Sequence, residues 1–109
     1  MTRLELIKLI GDVLTRLDVL RGGLMPDEPA RHELDDLRKL LDKSQLQLAK
    51  NQFDDNTQKF LQATADLESI NKDLKSSLAS VGNVVTTIAN LQRFVSAVNG
   101  IVGAVAPFI

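Results

Sequence analysis

An all-α fold is predicted for this sequence by three observations. Apolar residues recur at three- and four-residue spacing in the first half, and a seven-residue apolar repeat runs through the second. The β-branched stretch Val84-Val85-Thr86-Thr87-Ile88 also lacks the alternation a strand would show.

The spacing predicts a first helix over about residues 2–21. Leu6, Ile10, Val13, Leu17 and Leu20 form its buried stripe, widened by Ile7 and Leu14, while Arg3, Glu5, Lys8, Asp12, Arg16 and Asp18 supply the polar side. Gly22-Gly23 ends it, and Pro26 and Pro29 punctuate the connection. A second helix is predicted over 28–51, starting at Asp27 or Glu28 with Pro29 in its first turn. Leu34, Leu37, Leu41 and Leu48 mark its buried face, joined by Leu40 and Ala49; Asp35, Asp36, Lys39, Asp42 and Lys43 make a solvated outer side.

Near Asn51 the frame changes, with Asp54 or Asp55 as the N-cap of the next helix. From Phe53 a heptad begins. Position a reads Phe53, Phe60, Leu67, Leu74, Val81, Ile88, Val95 and Val102; position d reads Asn56, Ala63, Ile70, Ser77, Val84, Leu91, Val98 and Val105. The frame passes through Val81 without a phase change, so the expectation is one long helix over 54–105, roughly 75 Å at 1.5 Å per residue. The alternative is a break at Ser80-Val81-Gly82-Asn83, giving an up-down-up-down four-helix bundle.

The expected architecture is therefore a single helical domain, 1–109, of two shorter helices and one long heptad-patterned C-terminal helix. Leu6, Ile10, Val13, Leu17, Leu34, Leu37 and Leu41 would pack on the front of the long helix.

Charge is distributed unevenly. The formal net charge is -1, but of 13 basic and 14 acidic side chains only Arg93 falls after Lys75. The segment 76–109 is thus charge-poor and needs cover from its own chain, a partner or lipid. Gly82, Ala89, Ser96 and Gly103 form a seven-spaced column of small residues that would admit another helix closely. Their bland alternative is a small solvent-facing surface.

Chemistry finds little to work with. Cysteine is absent, which excludes disulfides and thiolate sites, and Trp and Tyr are absent, which disfavours base stacking. Gly22-Gly23 lacks the Lys-Ser/Thr of a phosphate loop. The lone imidazole, His32, sits by Glu33, Asp35 and Asp36, but adjacent helical side chains do not share a face, so no metal site is expected. The pairs Asp35-Asp36 and Asp54-Asp55 diverge in the same way, and carboxylates near helix starts serve the helix dipole. Arg31, Arg38, Lys39 and Lys43 are interleaved with acids, a salt-bridged surface and not a nucleic-acid footprint.

No catalytic residue, cofactor or nucleic-acid partner is expected. The expectation is a non-enzymatic assembly protein that self-associates or binds another helical subunit through a seam of Val81, Val84, Ile88, Leu91, Val95, Val98, Val102 and Val105, with Arg93 opposite. The alternative is a membrane-active protein whose segment 76–109 enters lipid, although Asn83, Asn90, Gln92, Arg93 and Asn99 make simple spanning expensive. Charges within the first apolar stretch are unlike a signal peptide, and a cytoplasmic setting is the default expectation.

Overall fold

The computed structural model describes residues 1–50, 57–78 and 84–105. It contains four helices: α1 Arg3–Gly22, α2 Pro29–Lys50, α3 Gln58–Leu78 and α4 Val84–Val105, with no strand among the described residues.

α1 begins on a capping box. Thr2 Oγ1 accepts from Glu5 N at 3.1 Å, and Glu5 Oε1 accepts from Thr2 N at 3.2 Å, so two otherwise orphaned amides are satisfied. The helix ends at Gly22, and the Gly23 amide donates to Leu20 O, closing the last turn without a left-handed residue. Pro29 opens α2, where a missing N–H costs nothing. The Glu28 carboxylate accepts from Met25 N, ordering the approach to α2. α3 starts later than its sequence signals suggest. Its first turn is held by Thr57, whose hydroxyl accepts from Phe60 N. Asp54 and Asp55, the expected caps, lie outside the described residues, as do Phe53, Asn56, Val81 and Gly82.

Two hairpins result. α1 lies antiparallel on α2, since Arg3 at its start donates to Leu48 O and Arg21 at its end pairs with Asp35. Gly11 lets these helices close up: Gln45 Nε2 donates to Ile7 O, and a Cβ on Gly11 would sit 3.3 Å from that nitrogen. α3 and α4 form the second hairpin. α4 is the shared neighbour, packing against both α2 and α3, while α1 touches α3 more lightly. Ser44, six residues before the end of α2, donates to Asn99, six before the end of α4, so these helices run in the same sense.

The unbroken helix over 54–105 is therefore corrected to two helices. A rod of roughly 75 Å does not fit a molecule whose long axis is 42 Å. Asn90 on α4 donates to Asp73 O and Ser77 Oγ on α3, so α4 lies beside α3 and does not extend it. Four helices are what the alternative reading required.

The core runs the length of the bundle. Leu6, Ile10, Leu17, Leu34, Leu41, Leu67, Leu74, Leu91, Phe94, Val98 and others are fully buried, each contributing about 1.5–3 kcal/mol of transfer free energy. Leu37 packs at its edge. Leu40 and Ala49 are corrected from the buried face to the surface: Leu40 is 48% exposed, because the α2 stripe follows Leu34, Leu41, Ser44 and Leu48 and turns both outward.

Candidate functional site: the outer face of the last helix

The seam positions go inward. Ile88, Leu91, Val95 and Val98 are buried in the chain's own core, and Val84 and Val102 pack at its edge. Val81 and the Val105 side chain lie outside the described residues. Across α3 the same frame places Phe60, Leu67, Leu74 and Ser77 in the core, with Ala63 and Ile70 half-buried against it. Phe94 and Ile101, one position before a, widen the α4 stripe, so this helix buries a broader face than α3 does.

What α4 leaves outside is an uncharged strip of Val85, Ala89, Gln92, Ser96, Gly100 and Gly103. Val85 is 79% exposed, the most open large apolar side chain in the described residues. Arg93 flanks the strip, facing away from the core, and reaches Asp73 on α3 at 3.5 Å and its own helix's Asn90 at 3.4 Å. Between α3 and α4 a groove of about 580 Å³ opens over this face, lined by Asp66, Ile70, Ala89, Gln92, Arg93, Ser96 and Ala97.

Gly100 and Gly103 are the informative residues. Glycine within a helix costs roughly 1 kcal/mol against alanine. Neither residue has a positive φ, and a Cβ at either would meet nothing within 4 Å. Nothing among the described residues accounts for them. The sequence column of small residues pointed here through Ala89, Ser96 and Gly103, but it did not include Gly100, which becomes notable only once its surroundings are seen to be empty.

Elsewhere the surface is structural. Asp18 accepts from Arg38 at 2.7 Å and from Arg21 at 3.1 Å, and these guanidinium groups, Arg38 first, hold its carboxyl below the usual carboxylate range; Arg38 is held more firmly protonated in return. Arg21 also pairs with Asp35. Asp18–Arg38 and Arg21–Asp35 thus join α1 to α2, whereas the sequence spacing had suggested pairing within α2. Arg31 donates to Leu24 O.

His32 is exposed, and no group of three or more potential metal ligands occurs among the described residues. A second recess, about 340 Å³, is lined by Asp73, Ser76, Ser77, Thr86 and Asn90. Its one titratable group, Asp73, is exposed and paired with Arg93. No protein-family model, curated protein or solved structure matches this chain.

Proposed function

We propose that this chain is a non-catalytic helical assembly protein that receives a helix of another subunit, or of a second copy, on the outer face of α4. The observation that carries the reading is the pair Gly100 and Gly103, which lower helix propensity on an exposed, uncharged face and meet no other described residue there. Close approach of a second helix is what small residues on such a face allow, because backbones then touch through van der Waals contact and Cα–H···O geometry. The flanking Arg93 and Asp66 give the groove a charged rim, as interfaces usually have.

The test separates stability from association. Gly100→Ala with Gly103→Ala should raise stability towards chemical denaturation by about 1 kcal/mol per site while weakening association. Gly100→Leu with Gly103→Leu should block association outright. For a second copy, sedimentation at micromolar concentration should give a mass above 12.0 kDa that falls to 12.0 kDa in the leucine variant. A wild-type mass of 12.0 kDa at every concentration removes the second copy as occupant, and unchanged association in the leucine variant removes the face.

A second reading, membrane activity, draws on the same helix: α4 runs 22 residues with Arg93 its single charge. No helix among the described residues is long and apolar enough to cross a membrane. This reading instead has α4 lie in the lipid surface. Flotation with anionic vesicles, followed by dye leakage, tests it; a chain that stays with the aqueous fraction eliminates it.

A further inference from the structure

α4 carries a second frame of four-and-three spacing, on the side turned away from the core. Val85, Gln92 and Asn99 form one seven-spaced column; Ala89, Ser96 and Gly103 form the next, and all six are exposed. The two columns differ in size. The first holds the larger side chains, among them Val85, the most open large apolar residue described. The second holds only a methyl, a hydroxymethyl and a hydrogen.

Parallel and antiparallel partners meet these columns differently. In a parallel pair each column faces itself, so Val85 lies over Val85 and Gly103 over Gly103, and crowded layers alternate with empty ones. In an antiparallel pair about a two-fold axis level with Phe94, each column faces the other: Val85 against Gly103, Gln92 against Ser96 and Asn99 against Ala89, every pair occurring twice. Each layer then holds one larger and one small side chain, the even filling that close packing requires. The layers beside the axis pair an amide with a hydroxyl, which donate and accept hydrogen bonds. Gly100 flanks the Asn99–Ala89 layer, where its open surroundings leave room for a second backbone.

We propose that the helix received on this face is α4 of a second copy, antiparallel and two-fold related, with Val85 of each copy seated over Gly103 of the other. This rests on the assembly reading above and names its occupant. Charge at the rim agrees. The axis brings both Arg93 side chains to the same edge, where each copy also supplies Asp66 and Asp73, two carboxylates for every guanidinium. A single helix pair, roughly 27 Å from Val85 to Gly103, is a small interface, so the dimer is weak and depends on concentration.

The absence of cysteine makes the orientation readable. Chains carrying Val85→Cys are mixed with chains carrying Gly103→Cys and oxidised mildly. The antiparallel dimer predicts faster disulfide linkage in the mixture than in either variant alone, where like positions stand roughly 27 Å apart. Equal or faster linkage within the single variants overturns the proposal and leaves the docking face standing. Exchange of side-chain size gives a second measurement. Gly103→Val alone overfills its layer and should weaken dimerisation about tenfold or more; adding Val85→Gly restores the summed volume and should recover most of the loss, with circular dichroism showing both variants helical. A double variant no better than Gly103→Val overturns the pairing. A wild-type mass of 12.0 kDa at every concentration also overturns it, and leaves another subunit as the occupant of the face. A dimer that persists in Gly100→Leu with Gly103→Leu removes the face itself, and this pairing with it.

Discussion

The two hairpins are held by different forces. α1 and α2 are joined by a polar lattice as well as a core: Asp18 with Arg38 and Arg21, Arg21 with Asp35, Arg3 on the Leu48 carbonyl, Gln45 on Ile7 O. α3 and α4 share one exposed ion pair, Asp73 with Arg93, and a few bonds from Asn90. Exposed ion pairs contribute little energy, typically below about 1 kcal/mol, but they demand particular partners at particular places. An apolar stripe contributes far more and discriminates far less. The first hairpin is thus specified by particular polar partners, whereas the second is held chiefly by its apolar stripe.

Phe94 separates the two hairpins most sharply. It is fully buried on α4, where nothing polar substitutes for packing, so Phe94→Ala should cost about 3–5 kcal/mol in chemical denaturation. A cost below about 1 kcal/mol would mean that α4 does not depend on its stripe. A smaller effect is expected where the hairpins meet. Ser44 is buried and donates to Asn99 at 2.7 Å, so Ser44→Ala should cost about 1 kcal/mol, and Asn99→Ala should add little to it in a double-mutant cycle. Full additivity would show that this bond does not couple α2 to α4.

The smallest effect is expected in the polar lattice. Asp18 is about half exposed, and solvent screening limits Asp18→Asn to roughly 0.5–1 kcal/mol at neutral pH and low salt. The carboxyl is held below its ordinary range by Arg38 and Arg21, so it binds protons less readily folded than unfolded. Its contribution is present above the ordinary carboxylate range and is lost as pH falls through the depressed folded value. The difference between wild type and Asp18→Asn should therefore vanish in acid and shrink in molar salt. A difference that grows on acidification contradicts the pairing.

Much of the fold was legible in the chain itself. The a and d positions of the heptad name most of the residues that are buried in α3 and α4, and the first stripe names Leu6, Ile10, Val13, Leu17 and Leu20. The capping box at Thr2 and Glu5 was equally readable as Thr-x-x-Glu at a helix start, although the periodicity alone did not single it out. The proposed docking face was half legible. Ala89, Ser96 and Gly103 stand in a column, but Gly100 gains meaning from the open space around it.

The amino-acid sequence by itself determined which residues are helical and which side of each helix is apolar, because both follow from local propensity and the 3.6-residue turn. Only the tertiary structure decided what covers that side. α4 packs on α2 and beside α3 of the same molecule. An apolar stripe loses the same water whether the chain's own helix or another molecule's covers it, since burial is non-directional and proportional to area. The heptad therefore records that α4 must be covered, and what covers it is chosen by the packing of all four helices at once.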